Sequence, residues 1–266
     1  MNVYKEFFNT HPVFTTDEYM SAVKKNRKTA YNNLKMNYMA NGRVISIQRG
    51  LYAVVPPGSD PEKYRPDEIL IASRLAKDAV LAFHTALELL GYSHSALYRY
   101  YYYTRTQKRN AIINKREYRS VQYPRRMNKT LPESIGVTRQ AYHGLKVRLT
   151  DRERTFIDCI NRPEYAGGIE ETYRSLEKFP YLDFDKMFHY MKILGSRVSY
   201  ARVGYFLEQH REKFFAEEKI LQRLEENIPS SAVYFDPGRK EGKLIKKWNL
   251  VVPQEVIEKK WEEFWE

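Results

Sequence analysis

The stretch of residues 14–55 limits the possible folds of this chain more than any other segment. It contains two short helical patterns followed by two β-rich runs, with a polar, glycine-containing turn between the runs. Thr15 and Glu18 have the spacing of a capping box, and Asn26 is a favoured N-cap residue for a second helix. Gly42 can adopt the left-handed conformation that ends a helix. This order of elements predicts a winged helix-turn-helix.

The predicted winged segment ends where prolines begin. Residues 54–66 contain four prolines and one glycine, so neither a helix nor a strand can continue through them. We therefore predict a winged helix-turn-helix domain over residues 1–58 and a larger mixed α/β domain over residues 59–266. The expected fold class of the whole chain is α+β.

Apolar periodicity and turn residues predict the elements of the larger domain. The expected helices cover residues 67–75, 78–90, 151–160, 169–178 and 205–227. The expected strands cover residues 97–103, 111–123 and 144–149, which are rich in tyrosine and β-branched side chains. Thr150 and Glu153 have capping-box spacing and are expected to begin the helix that follows them.

The second helix of the winged segment carries side chains suited to binding DNA. Ala30, Leu34 and Tyr38 recur at helical spacing and are expected to pack inward. Arginine or lysine can pair with guanine, and asparagine can pair with adenine through two hydrogen bonds. Thr29 is better suited to a phosphate contact, and Arg49 at the hairpin turn to the minor groove or the backbone. The predicted DNA-binding residues are Arg27, Lys28, Thr29, Asn32, Lys35 and Arg49. The alternative is a winged segment that binds only proteins.

A second basic segment accounts for much of the net charge of +12. Residues 97–129 hold ten lysines and arginines against one acidic residue, interleaved with tyrosines. Arginines could bind phosphates while tyrosines stack on bases, which would make a second nucleic-acid surface. Alternatively, strand alternation would place the tyrosines inside a sheet and leave the arginines to water or an acidic partner. The sequence does not separate these interpretations. The residues of this possible second surface are Arg99, Arg105, Lys108, Arg109, Lys115, Arg116, Arg119, Arg125 and Arg126.

The sequence offers little for catalysis. It lacks a phosphate-binding glycine loop, a nucleophile elbow and a paired metal-ligand motif. His84 and Glu88 share one helix face, but their helix is apolar, so we expect a buried, hydrogen-bonded pair rather than a metal site. Cys159 lies on an apolar stripe and is expected in the core. We predict that the chain is not an enzyme and uses no metal or cofactor.

Other features of the sequence predict a cytoplasmic protein. No apolar run approaches the length of a membrane span, and the first residues lack the apolar stretch of a signal peptide. The single cysteine cannot form an internal disulfide.

The chain resembles the AbiEi family of antitoxins from type IV toxin–antitoxin systems. Four features carry the resemblance: the winged segment that ends RGLYAVVPPG, the stretch DEILIASRLAKDAVLAFHTALELLGYSHS, the stretch VRLTDRERTFIDCINRPEYAGGIEETYRSL, and their order. It covers about residues 1–228 and leaves out the tryptophan-rich tail.

The resemblance implies a protein with two roles. Its winged domain would bind inverted repeats in double-stranded DNA of its own promoter and repress the operon. Its larger domain would counteract a nucleotidyltransferase-like toxin, without requiring a stable complex with that toxin. Two alternatives stay open: a protein that contacts RNA or tRNA and protects it, and a stand-alone winged-helix regulator.

Overall fold

The computed structural model describes residues 3–106, 109–124, 127, 135–236, 238 and 241–259. Helices and strands are mixed along the chain, so the fold is α+β, as predicted. The chain forms two compact units, each made of three stretches. The first unit comprises Met1–Leu81, Tyr98–Gln122 and Thr138–Leu149, and the second comprises Ala82–Leu97, Tyr123–Val137 and Thr150–Glu266. The predicted domain boundary after residue 58 stays a prediction. The first compact unit contains both the N-terminal segment and the strands within residues 98–122.

The N-terminal segment of the first unit is built from short helices and a small antiparallel sheet. Its elements in chain order are α1 (Val3–Thr10), β1 (Val13–Thr15), α2 (Thr16–Val23), α3 (Arg27–Leu34), a π-turn (Lys35–Met39), β2 (Val44–Gln48) and β3 (Leu51–Val54). β3 is the central strand and pairs with β1 and β2.

The local signals of this segment are confirmed. Thr15 and Glu18 form the predicted capping box at α2, and the Asn26 side chain accepts a hydrogen bond at the start of α3. Gly42 adopts a φ of 73° after the π-turn. The hairpin of β2 and β3 turns at Gly50, whose φ of 83° favours glycine.

An aromatic core holds these helices against the small sheet. Phe8, Phe14 and Tyr19 are buried and pack with the predicted inward residues Ala30 and Leu34 of α3. The rings of Phe8 and Tyr19 lie 5.8 Å apart, centroid to centroid, and are nearly parallel. Because α1, α2 and α3 all contribute to one core, the orientation of α3 is fixed by packing rather than by its own short length.

A larger sheet occupies the rest of the first unit. The chain enters it through α4 (Glu68–Ala72). Its strands are β4 (Val80–Leu81), β5 (Arg99–Thr104), β6 (Ala111–Ile113), β7 (Arg116–Gln122), β8 (Val137–Tyr142) and β9 (Leu145–Thr150). They lie in the order β6-β7-β5-β4-β9-β8, and β5 runs parallel to β7 over its whole length.

Two predictions in this region are wrong. The expected helix 78–90 begins instead with β4, and only α5 (His84–Leu90) is helical. Val80 and Leu81 are apolar like their neighbours, and a short apolar run does not distinguish a buried strand from a buried helix. The expected strand 111–123 is a hairpin of β6 and β7, because Asn114 and Lys115 both take positive φ angles at a tight turn.

The second unit is mainly helical. Besides α5, its helices are α6 (Arg152–Asn161), α7 (Ile169–Leu176), α8 (Phe184–Leu194), α9 (Arg197–Gln209), α10 (Arg211–Phe214), α11 (Glu218–Glu225) and α12 (Gln254–Ile257). Three short strands, β10 (Val233–Tyr234), β11 (Lys243–Ile245) and β12 (Leu250–Val252), form a small sheet in which β12 is central.

Here too, two predictions are corrected. The expected helix 205–227 is divided among α9, α10 and α11, and Phe215 takes a φ of 51° that no continuous helix allows. The N-cap of α6 is Asp151, which accepts a hydrogen bond from the Arg154 amide, and not Thr150. Thr150 belongs to β9, and its hydroxyl contacts Thr155.

None of the helices within the described residues combines the length and the apolar character needed to cross a bilayer.

Candidate nucleic-acid interface

Helix α3 is held in place by an N-cap and by core packing, and one of its faces is exposed. Asn26 Oδ1 accepts the Thr29 amide at 2.9 Å, which satisfies a free amide at the start of the helix. On the inner side, the Tyr19 hydroxyl donates to Asn33 Oδ1 at 2.5 Å. Ala30 and Leu34 are fully buried beside this bond. The opposite face of α3 is therefore directed away from the core.

The predicted DNA-binding residues of α3 and of the turn that follows it are all exposed. By helical spacing, Lys28, Asn32 and Lys35 lie opposite the buried Ala30 and Leu34, whereas Thr29 lies at the border and Arg27 in the first turn. The exposed residues are Arg27, Lys28, Thr29, Asn32 and Lys35. Tyr31 and Met36, both outside the predicted set, are also exposed, at 43% and 69%. Helical spacing places Met36 on the outward side, whereas no sequence pattern predicts the exposure of Tyr31. Two large hydrophobic side chains are thus exposed in addition to the predicted residues.

Arg49 lies at the tip of the β2–β3 hairpin and is exposed. The tip is tied to the start of α2, because the Thr16 amide donates to the Gly50 carbonyl at 3.0 Å. A bulge between Ser46 and Gln48 shifts the register just before the turn. The position of Arg49 is thus set by both the hairpin and α2.

The cations of this surface lack acidic partners. In the described part of the chain, no ion pair involves Arg27, Lys28, Lys35 or Arg49. These side chains are available to an external anion, because no internal carboxylate competes for them.

The second basic segment is organised differently. The five tyrosines Tyr100, Tyr101, Tyr102, Tyr103 and Tyr118 are buried in the larger sheet. Burial raises the pKa of Tyr102 to about 12. These rings fill the sheet's two faces and present no plane on which a base could stack. Tyr98 alone among the tyrosines of 98–118 is exposed, at 66%.

Acidic residues neutralise several arginines of this segment. Glu117 contacts Arg99 Nε at 2.7 Å and Arg119 Nε at 2.5 Å. The hydrogen bond from Arg119 is the largest influence that holds the pKa of Glu117 below its ordinary value. Arg116 lies 3.4 Å from Glu68 and stacks 3.9 Å over the ring of Tyr98.

The remaining members of the predicted second surface differ in their surroundings. Arg109 and Lys115 are exposed, and Arg105 is half-buried. Lys108, Arg125 and Arg126 lie outside the described residues. The arrangement favours the interpretation in which tyrosines pack inside the sheet.

The residues considered for metal binding or catalysis lie in the second unit, where His84 and Cys159 are buried and Glu88 is half-buried. His84 Nε2 lies 3.3 Å from Glu171 Oε1, whereas His84 Nδ1 lies 3.9 Å from Glu88. The close partner of His84 is therefore Glu171, and not the predicted Glu88. Cys159 is in the core, as predicted, and burial raises the pKa of its thiol. Among the residues with described positions, no group of three or more potential ligands is arranged to hold a metal ion.

Comparison with known proteins gives a fold relationship. No protein-family profile matches the sequence, and no curated protein matches it. The crystal structure of the RV2827C protein from Mycobacterium tuberculosis is similar to this chain, with a TM-score of 0.57 and 17% sequence identity. The match covers 94% of this chain and 89% of that chain. At this identity the similarity shows a shared overall fold.

Proposed function

We propose that residues 14–55 form a winged helix-turn-helix and that the chain is a DNA-binding transcriptional autoregulator and antitoxin of a type IV toxin–antitoxin system. The observation that carries the DNA-binding part is the open face of α3. It presents cations without internal partners and one central amide, on a helix that a buried core holds in place.

The chemistry of this face suits the major groove of DNA. The groove is wide enough for an α-helix, and its base edges differ in their donors and acceptors. Asn32 could bond adenine through two hydrogen bonds, while Lys28 could bond guanine. Arg49, at the hairpin tip, supports the same proposal because a winged protein contacts the backbone or the minor groove with its wing.

The antitoxin role rests on the resemblance to the AbiEi family, and the second unit is the part that we assign to it. The fold similarity to the RV2827C protein adds a shared architecture without a stated role. The RNA-contacting alternative needs exposed aromatic planes, and the burial of five tyrosines removes most of them.

Affinity measurements on promoter DNA test the DNA-binding proposal. We expect Lys28→Ala and Asn32→Ala each to weaken binding to the chain's own promoter by about 1–3 kcal/mol, which is roughly 5- to 150-fold. Lys192→Ala is the matched control, because Lys192 is an exposed lysine on α8 of the second unit. Full affinity in both α3 variants would reject the proposed interface.

The antitoxin role has a separate test. Co-expression with a nucleotidyltransferase-like toxin encoded beside this gene should restore growth. The variant Asn32→Ala should restore growth as well as the wild type, because its change lies outside the second unit. Absence of rescue by the wild type, together with intact promoter binding, would identify a stand-alone regulator instead.

A further inference from the structure

A cationic groove lies within the first unit, beside the proposed DNA-binding face. It has a volume of about 440 Å³ and is lined by parts of α2, the β2–β3 turn, the loop after α4 and strand β9. Arg27 and Arg49, two of the proposed DNA-binding residues, form part of its wall. The groove therefore continues the proposed interface beyond the winged segment.

The groove carries far more positive than negative charge. Its lining includes six cationic side chains and two carboxylates. The cations are Arg27, Arg49, Arg74, Lys77, Lys146 and Arg148, and the carboxylates are Asp17 and Glu18. Cationic walls of this kind concentrate anions, and the effect is strong in a cleft.

Two of the six cations have partners inside the protein. Arg74 Nε lies 3.4 Å from Glu18 Oε1, and the Arg74 side chain is 9% exposed. Glu18 is also held by the Thr15 amide at 2.7 Å, so this pair belongs to the wall of the groove. Arg148 lies near Asp78. Burial alone would raise the pKa of Asp78, but its hydrogen bonds and the charge of Arg148 hold it below its ordinary value.

The other four cations are exposed and have no ion pair within the described residues: Arg27, Arg49, Lys77 and Lys146. Lys77 follows α4, and Lys146 projects from β9 on the same side as Arg148. Lys77 and Lys146 lie far outside the winged segment in sequence, yet they share one groove with its residues.

We propose that this groove binds the phosphodiester backbone of the same duplex that α3 contacts, through Lys77 and Lys146. This inference rests on the proposed function. The occupant is a duplex backbone because Arg27 and Arg49 of the proposed interface line the groove, and because its other cations extend that surface onto the loop after α4 and strand β9. Contacts to phosphate carry no sequence information, so the groove adds affinity and register rather than base discrimination.

The salt dependence of binding tests the proposal. Each phosphate contact contributes about 0.9 to the slope of log affinity against log salt. The double variant Lys77→Ala/Lys146→Ala, called the groove variant below, should therefore reduce that slope by about 1.8 for promoter and scrambled duplexes alike. The affinity deficit of the variant should be about 12-fold larger at 50 mM salt than at 200 mM.

A matched variant controls for net charge. Lys192→Ala/Lys213→Ala removes the same charge from exposed positions on α8 and α10, and it should leave the slope unchanged. Ethylation of individual phosphates adds a positional readout. Ethylation of a phosphate that the groove contacts should weaken DNA binding by the wild type but not by the groove variant. Such phosphates mark the contacts that the groove makes.

The outcomes separate this inference from the proposed function. If Asn32→Ala weakens promoter binding but the groove variant keeps the wild-type slope, the groove inference is overturned and the function stands. If the wild type binds no duplex, both fail. If the groove variant loses binding of inorganic pyrophosphate while its duplex affinity is intact, the occupant is a small phosphate compound and the inference is again overturned.

Discussion

Glu171 should contribute several kilocalories per mole to the stability of the second unit, with a characteristic dependence on pH. One Glu171 carboxylate oxygen accepts the amides of His94 and Ser95, each at 3.0 Å. The other accepts the Ser95 hydroxyl at 2.7 Å. His84 Nε2 lies 3.3 Å away, and the Ser175 hydroxyl donates at 3.0 Å. The carboxylate thus joins α7, α5 and the segment that follows α5.

The magnitude follows from the pKa of this carboxyl. Burial alone would raise it, but the hydrogen bonds from His84, Ser95 and Ser175 lower it from the ordinary value of 4.5 to about 2. Because one pKa unit corresponds to about 1.4 kcal/mol, the ionised form stabilises the folded state by about 3 kcal/mol. The folded pKa is the lower one, so this stability is present above about pH 4.5 and is lost as the pH falls towards 2.

Urea unfolding of Glu171→Gln tests this reasoning. The variant should be about 3 kcal/mol less stable than the wild type at pH 7, and the difference should shrink between pH 4.5 and pH 2. Fluorescence can follow the transition, because Trp248 is buried in the same unit. Glu170→Gln is the control: Glu170 is exposed and pairs with Arg174 at the surface, so its removal should cost under about 1 kcal/mol. A loss for Glu171→Gln that is the same at pH 7 and pH 2 would refute the argument.

Three further predictions concern single positions. Asn26→Ala removes the cap bond to the Thr29 amide and should lower stability by about 1 kcal/mol in thermal unfolding, whereas Asn26→Ser should retain most of it. Replacing thymines of the promoter by uracil should weaken binding of the wild type but not of Met36→Ala, because an exposed apolar side chain can contact the thymine methyl. Equal sensitivity of the variant and the wild type would contradict this. Gly204→Ala places a methyl group against the ring of Trp248 and should cost about 1–3 kcal/mol in urea unfolding, so wild-type stability would contradict the packing of α9.

The N-terminal segment could be predicted closely because its signals are local. The capping box of Thr15 and Glu18, the Asn26 cap and the glycine of the hairpin turn each act over a few residues. The inward face of α3 followed from helical spacing alone, and its burial is confirmed for Ala30 and Leu34.

Errors arose where tertiary context decides the structure. Val80 and Leu81 become a strand because β5 and β9 lie on either side of them, which no local pattern reveals. The chain breaks its helix near Phe215 without glycine or proline, so periodicity extended the predicted helix too far. Helical spacing predicts a partner for His84 on its own helix, whereas Glu171 lies on a helix distant in sequence.

The groove illustrates the same limit for function. Arg27 and Arg49 could be selected from the sequence because they lie in the segment predicted to be a winged helix-turn-helix. Lys77 and Lys146 could not, because they come from the loop after α4 and from β9, and only the tertiary fold brings them beside that segment.

The most direct measurement of the central claim pairs a change in the protein with a change in the DNA. Replacing single promoter adenines with 7-deazaadenine removes the N7 acceptor that an asparagine would use. At one adenine, the replacement should weaken the wild type and leave Asn32→Ala unaffected. If instead every replacement affects both proteins equally, Asn32 does not contact an adenine, and the proposed role of α3 in base recognition is contradicted.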